Sequence, residues 1–447
     1  MAKRNKSVHE ENPLKAWVVT VDMGLGHQRA AYPFSTVAED GIITVGGSQA
    51  VDLEEKKQWD RIRKSYEWLS RVRNVPIVGK PLFGLLDRIQ NIPPFYPMRD
   101  MSHSTFQVNM VSSVVKKGLC KGMIEKINTK PLPLLVSYPV PAIAADMAGY
   151  KRIYAVVTDA EINRAWVAEN PTESKIHYLA PCGRALMRLR SYGVPDERIF
   201  LTGFPFPLEV LGNSELHILK SDMGQRLHYL DPNNRFWPLH ERNVRFFLGK
   251  RNCSFKKARC LTITFAVGGA GAQKEIGYAI IRKFREKIVK GELRVNLVAG
   301  VRPEIRDYFK GIKKEVLRDA EGVNIIYGET KTDYFKIFSE IIRETDILWT
   351  KPSELSFYCG LGIPIIMAPT IGSQEEYNRK WLIEIQAGID QDDPEYVDEW
   401  LTDYLREGRL AESAWDGFLK ARKYGTYKIL EVLETGTMGV EKSPLKR

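Results

Sequence analysis

Ala16–Val21 reads AWVVTV and runs straight into Asp22-Met23-Gly24-Leu25-Gly26-His27-Gln28-Arg29-Ala30-Ala31. Past the middle of the chain the arrangement recurs: Leu261–Ala266, LTITFA, runs into Val267-Gly268-Gly269-Ala270-Gly271-Ala272-Gln273. Each is a short apolar run, as a parallel strand buried on both faces requires. Each is followed by glycines that let the backbone turn tightly and then by a helix pattern. Working outward, Leu134–Ser137, Ile153–Val157 and Ile199–Leu201 have the same strand character in the first half. Val295–Val298, Val323–Tyr327, Asp346–Trp349 and Ile363–Met367 have it in the second. Between them Trp59, Ile62, Tyr66, Leu69 and Val72 share one helical face, as do Ile276, Ile280, Phe284 and Ile288. Alternating strands and helices predict an α/β fold with parallel sheets, and two such series predict two Rossmann-like, doubly wound domains. The expected boundaries are 1–212 and 260–405. Residues 213–259, with DPNN at Asp231–Asn234 and the basic run ERNVRFFLGKRNCSFKKAR, read as a basic linker or insertion with some helix. Residues 406–447 carry a C-terminal helical stretch, a candidate to cross back onto the first domain, and a polar tail.

The 447 residues include 66 Lys+Arg against 55 Asp+Glu, a net charge of +11 that favours an anionic partner: nucleotide, nucleic acid or acidic membrane surface. At 44% hydrophobic and 27% charged residues the chain can build a sizeable core, which excludes wholesale disorder. No apolar run approaches the roughly 18–20 residues of a spanning helix, and the first residues lack the apolar stretch of a secretory signal. The five scattered cysteines suit neither a disulfide framework nor a zinc site. The expected setting is cytoplasmic with reduced thiols. Nucleic acid is the least attractive partner, because the basic residues are dispersed and no nucleic-acid signature occurs.

Five stretches carry residues suited to chemistry. In the first, Gly24, Gly26 and His27 sit where a sheet's carboxyl end meets a helix start, the usual ligand position of an open α/β sheet. Taken alone, it reads as a tight turn with a capping His. Arg29 stands where a dinucleotide fingerprint would need glycine. In the second, Gly268, Gly269, Ala270 and Gly271 suit a pyrophosphate or, with equal weight, close helix–strand packing. Lys274 breaks the fingerprint there too, and no Walker A sequence occurs. The third stretch holds Lys351, Pro352, Ser353 and Glu354 at a helix start. A strand later Gln374, Glu375 and Asn378 follow; Lys351 and the Ser353 hydroxyl could face a diphosphate, and Gln374 and Glu375 could hold sugar hydroxyls. Glu376 and Arg379 read as solvated. In the fourth, Asp159 and Glu161 end a strand near Trp166 and could serve as bases, or Asp159 could cap a helix. Thr202–Pro207, TGFPFP, ends another strand as a stiff exit suited to a hinge or cleft wall. The fifth, Asn74–Met98, is apolar and aromatic and follows Arg61, Arg63, Lys64, Arg71 and Arg73, a combination suited to an anionic bilayer surface.

In this order, over most of residues 16–390, these stretches resemble the GT-B-fold glycosyltransferases of the MurG and monogalactosyldiacylglycerol synthase group. MGLGHQRAA resembles the group's GGGH-type loop. LLVSYPVPAIAA and VVTDAEINRAWV resemble its "hP" and "VVTDL…W" segments, and LTGFPFP its "GLPV" hinge strand. FAVGGAGAQ resembles its "GGGEG" or "GGSQGA" loop. WTKPSELSFYCGLGIPIIMAP and IGSQEEYNRKWL resemble its "TKAGPGT…GLP" and "GQE..N" segments. Two departures stand out. The AGPGT turn is two residues shorter here, as PSE, and the family's ribose-binding Glu falls at Phe357, with Glu354 three residues earlier on nearly the same helix face. The resemblance implies two domains facing across a cleft, with an acceptor side in the first. The second would bind a nucleoside-diphosphate sugar, UDP being the family's nucleotide, through Gly268–Gly271, Lys351, Ser353, Glu354, Gln374, Glu375 and Asn378. It implies inverting transfer to a lipid or cell-envelope acceptor by a peripheral membrane enzyme. No obligate metal and no cofactor are implied, the sugar nucleotide being a substrate. His27 and Asp159 are the candidate bases. A sugar-nucleotide epimerase or hydrolase, a dinucleotide oxidoreductase, and a non-catalytic nucleotide-sugar or membrane-surface binding protein are the rival readings.

Overall fold

A computed structural model describes residues 14–47, 55–61, 92–255, 258–266, 271 and 273–440. Among them, twelve strands form two six-stranded sheets, and every strand pair is parallel. The first sheet holds β1 (Trp17–Val21), β2 (Ile43–Val45), β3 (Leu134–Val136), β4 (Ile153–Val156), β5 (Ile176–Leu179) and β6 (Ile199–Phe200), in the order β2-β1-β3-β4-β5-β6. The second holds β7 (Leu261–Ala266), β8 (Leu293–Gly300), β9 (Val323–Tyr327), β10 (Ile347–Thr350), β11 (Ile365–Met367) and β12 (Gly388–Asp390). Its order, β12-β11-β10-β7-β8-β9, is that of a dinucleotide-binding sheet.

The expected strands lie within a residue or two of these. Three others, β2, β5 and β12, were not expected. β2 and β12 are three-residue strands at sheet edges, and β5 (IHYL) carries a histidine that interrupts its apolar run. The face predicted from Ile276 to Ile288 is buried, on two helices, Glu275–Lys283 and Arg285–Val289, that meet at Phe284. Of the 59–72 face, only residues 55–61 are described, as helix, with Trp59 buried.

In each sheet the strand order reverses once beside the first strand, between β1 and β3 and again between β7 and β10. At such a point neighbouring loops leave in opposite directions and open a crevice at the carboxyl ends. The two crevices face each other, because Arg29, after β1, reaches Glu354, after β10. The fold is thus two Rossmann-like domains across a cleft, the GT-B arrangement.

Residues 213–259 contribute helices His217–Leu230 and Trp237–Leu248. They are anchored to the second domain by the buried Arg226, whose guanidinium donates to the carbonyls of Thr345 (2.7 Å), Leu361 (2.8 Å) and Arg343 (3.3 Å). Near the end of the chain, helix Gly425–Thr435 returns to the first domain. Thr426 Oγ1 donates to the Phe206 carbonyl at 2.5 Å, and Arg152 of the first domain donates to the Leu433 carbonyl at 2.8 Å. No helix among the described residues is long and apolar enough to cross a membrane.

Candidate functional site

His27 lies in the short helix Leu25–Ala31, entered through Gly24, whose φ of 93° favours glycine. Its Nδ1 is 2.7 Å from the Ser137 carbonyl, at the end of β3. A carbonyl only accepts, so Nδ1 carries the proton and Nε2 keeps its lone pair. The ring packs edge-on to Tyr138 at 4.9 Å and lies 6.3 Å from Trp166. Burial lowers its pKa and outweighs the Ser137 bond and the Glu354 charge, so the imidazole is neutral near pH 7.

Asp159 lies three residues past the end of β4. Asn378 Nδ2, from the second domain, donates to its Oδ1 at 2.9 Å, and Thr158 Oγ1 lies 3.5 Å from its Oδ2. Burial pushes its pKa to about 6, and the charges of Glu354 and Glu375 push the same way. It is not a helix cap; bends at 159–161 follow it, and the next helix, the 3-10 turn Arg164–Trp166, begins after Asn163. Glu161 has a different role: it is fully buried between Arg184 (2.9 Å) and Arg188 (2.5 Å), an ion-paired anchor rather than a free base.

Asn378 is fully buried and bridges the domains. Besides holding Asp159, its Nδ2 donates to the Pro352 carbonyl at 3.2 Å, and its Oδ1 accepts from Ala160 N at 2.8 Å. Glu375 closes its own loop, with Oε2 accepting from Ile371 N (2.7 Å) and Gly372 N (3.3 Å), and Oε1 paired to Lys351. Gln374 is half-buried at the first turn of helix Ser373–Glu384. Ser353 precedes the 3-10 helix Glu354–Leu361 without a side-chain cap bond. Phe357, where the resemblance would place a ribose-binding Glu, is in the core, stacked on Phe204 at 5.1 Å and 4.9 Å from Trp381.

Glu354 points across the cleft, and Arg29 Nε donates to its Oε1 at 3.2 Å. Arg29 is buried in an aromatic surround supplied by the second domain. Its guanidinium carbon is 4.3 Å from the Phe338 ring centre, 5.3 Å from Phe335 and 5.5 Å from Tyr334, whose hydroxyl accepts a 2.9 Å bond. A Cβ at Gly26 would lie 2.9 Å from Glu354 Oε2, so a side chain there would displace the Glu354 carboxylate. A second ion pair, Lys331 to Asp22 at 2.5 Å, also crosses the cleft.

Gly268, Gly269 and Ala270 lie outside the described residues. Gly271 has φ 71°, and a Cβ there would lie 2.6 Å from Ile305 Cδ1, so close packing against the helix Pro303–Leu317 requires this glycine. Residues 62–91 of the apolar stretch also lie outside the described set; in its described part Tyr96 and Met98 are well exposed. No group of His, Cys, Asp or Glu among the described residues is placed to hold a metal ion.

The fold thus brings His27, Asp159, Glu354 and Asn378 to one place, with Lys351 and Glu375 beside them. Sequence reasoning missed Arg29 and its aromatic surround. The available signals were an arginine in place of a fingerprint glycine and the YF..F pattern of Tyr334, Phe335 and Phe338.

A family model described as "Domain of unknown function (DUF6938)" matches residues 301–431. No curated protein matches the chain. Among solved structures, the chain is similar to a UDP-GlcNAc 2-epimerase from Neisseria meningitidis bound to UDP-GlcNAc, at 11% identity and TM-score 0.47, covering 95% of this chain and 99% of that one. It is also similar to Acinetobacter baumannii MurG, at 11% identity and TM-score 0.48, covering 94% and 99%. A Streptomyces sp. SF2575 glycosyltransferase is similar at 11% identity and TM-score 0.40, covering 94% and 100%. These likenesses are distant, and the chemistry has to be read from this chain's own residues.

Proposed function

We propose that this protein transfers a sugar from a nucleoside-diphosphate donor, a UDP-sugar, to a hydroxyl of a lipid or cell-envelope acceptor at a membrane surface. The observation that carries the reading is His27 at the β1/β3 crevice, its Nδ1 proton fixed on Ser137 and its Nε2 left basic, with the second domain's Glu354 near enough for its charge to act on the ring. A neutral imidazole with one tautomer enforced is suited to take a proton from an alcohol. The acceptor O–H bond then breaks toward Nε2 and the oxygen bonds to the sugar's anomeric carbon. The bond to the diphosphate oxygen breaks on the opposite face, and the nucleoside diphosphate leaves with the electron pair. Attack opposite the leaving group inverts the anomeric centre. Lys351 and the glycine-rich sequence Gly268–Gly271 would meet the diphosphate charge, and Gln374 and Glu375 the sugar hydroxyls. Trapping of Lys351 by Glu375 and of Glu354 by Arg29 means that a donor would bind by exchanging those pairs.

One observation favours a second reading. A carboxyl titrating near pH 6, as Asp159 does, can deliver a proton as well as take one. A sugar-nucleotide epimerase would use such a group without any acceptor. Incubation with UDP-sugars, with and without lipid acceptors, separates the two. Acceptor-dependent UDP release is expected, while an epimerised UDP-sugar formed without acceptor would replace transfer with epimerisation. Thermal shifts with UDP, GDP, ADP, dTDP and NAD test the donor site first. A ligand at about 100 times its dissociation constant adds roughly 2.7 kcal/mol. Shifts with nucleoside diphosphates and none with NAD are expected, and no shift with any diphosphate would remove the donor site.

A further inference from the structure

The helix Trp237–Leu248 presents apolar residues outward as well as inward. Its inner face carries the buried Val244 and Leu248, with His240 stacked on Phe236 at 4.5 Å and Phe247 packed edge-on to Trp415 at 5.7 Å. On the opposite face, at i, i+3 and i+7, stand Leu239, Arg242 and Phe246. Leu239 and Phe246 are each 73% exposed. Single exposed apolar residues are ordinary. Two large ones, two turns apart on the outer line of one helix with an arginine between them, form an amphipathic face with its polarity reversed. The helix is also held firmly: both Asp231 oxygens accept from the backbone at its start, from Arg235 N at 2.7 Å, Phe236 N at 3.0 Å and Trp237 N at 3.1 Å.

The charge around this face is concentrated. Residues 235–259 contain eight Lys or Arg and a single acidic residue, Glu241, and so supply seven of the chain's eleven net positive charges. Glu241 is bound to Arg245. Among the described residues Arg242, Lys250 and Arg251 have no carboxylate in ion-pair range.

We propose that this helix docks the protein on an anionic lipid bilayer. Leu239 and Phe246 enter the boundary between headgroups and acyl chains, and Arg242, Lys250 and Arg251 meet the lipid phosphates. At their exposure the two apolar side chains stand out from the surface instead of lining a groove, which suits a fluid apolar phase. The cations around them select its charge. Docking is separate from the transfer reaction and from the 61–98 stretch, and its test uses no turnover.

The test is sedimentation of the full-length protein with phosphatidylcholine vesicles, with and without phosphatidylglycerol, at low and high salt. The wild type should bind the anionic vesicles and be released by salt. Leu239→Ser with Phe246→Ser should weaken binding roughly tenfold or more, as two exposed sites lose their apolar transfer. Arg242→Gln with Lys250→Gln should reduce both the binding and its salt dependence. Because all four positions are exposed, thermal midpoints should stay near the wild-type value, which separates lost docking from lost folding. Unchanged binding in the Leu239/Phe246 variant would overturn the proposal and assign any docking elsewhere. Self-association of the wild type that this variant abolishes would also overturn it, making the face a contact between copies of the chain.

Discussion

At the end of β1 and β3, His27 uses one ring nitrogen to fix itself on Ser137, which leaves the lone pair on the other. At the end of β7 and β10 the candidate ligand-binding side chains are engaged with the protein itself. Lys351 is paired to Glu375, Glu354 to Arg29, and Asn378 uses both ends of its amide. Each crevice lies beside the first strand of its sheet, and the two differ in the side chains that meet across the cleft. On the proposed function the first domain would present the base and the second a donor site whose groups are held by partners that the donor replaces. Donor binding would then disturb the cross-cleft contacts, of which Arg29 with Glu354 and Tyr334 is the most buried.

The largest expected effect comes from breaking that link. Arg29→Ala leaves a void among Tyr334, Phe335 and Phe338 and strips Glu354 of its partner, and removing one member of a buried pair typically costs about 3–5 kcal/mol. Denaturant unfolding measures the loss. Arg29→Met combined with Glu354→Gln should recover a good part of it, since neither an unpaired charge nor a void remains. If Arg29→Ala alone leaves stability unchanged, the two domains are not joined through this residue.

The next effect tests the poised base. His27→Ala should lower turnover by roughly 10²–10⁴-fold, the range for a lost general base, with little change in stability. The burial-lowered pKa of His27 places the acid limb of the wild-type pH profile below the ordinary histidine value of 6.5. Only the neutral ring accepts a proton, so activity falls as pH drops through that limb. An acid limb above 6.5 would contradict the assignment.

How much of this could be read from the sequence follows from where the information lies. Two series of buried parallel strands left nearly continuous apolar runs, so LTITFA and AWVVTV identified both domains. His27 and Asp159 stood out as candidates because each lies a few residues past the end of such a run. The cross-cleft partners were not, because they are separated by hundreds of positions and meet only once both sheets are folded: Arg29 with Glu354 and Tyr334, Asp159 with Asn378. Glu161 was a plausible base in sequence for the same reason; nothing local reveals that Arg184 and Arg188, more than twenty residues on, would enclose it. The exposure of Leu239 and Phe246 was equally hidden, since a helix's pattern alone does not say which of its two apolar faces is covered.

A smaller effect separates bridging from ligand binding. Asn378→Ala removes three hydrogen bonds and leaves the buried Ala160 N–H and Pro352 carbonyl without their partner. Stability should fall by about 2–3 kcal/mol, as unsatisfied buried groups require. Urea unfolding without ligand reads it directly. A wild-type stability combined with a raised donor Kd would make Asn378 a ligand contact in place of a bridge.

The smallest effect concerns Asp159, and its sign distinguishes a functional carboxyl from a structural one. Its folded pKa of about 6 lies above the ordinary aspartate value of 3.8, so the folded state holds the proton more tightly than the unfolded chain. Stability from this group is therefore greatest below pH about 4, where both states are protonated. It falls as pH rises through about 6 and stays low above it. At 1.36 kcal/mol per unit the difference is at most about 3 kcal/mol, and the partial exposure of Asp159 reduces it to about 1–2 kcal/mol. Asp159→Asn keeps an oxygen to accept from Asn378 and removes the charge. It should raise the thermal midpoint at pH 7.5, flatten the stability profile between pH 4 and 6, and lower turnover. The His27 contribution to the profile has the opposite sign and is present in both proteins, so subtracting one profile from the other isolates Asp159. A variant less stable than the wild type at pH 7.5 would show that the carboxylate stabilises the cleft, and the first domain's crevice would then be engaged as fully as the second's.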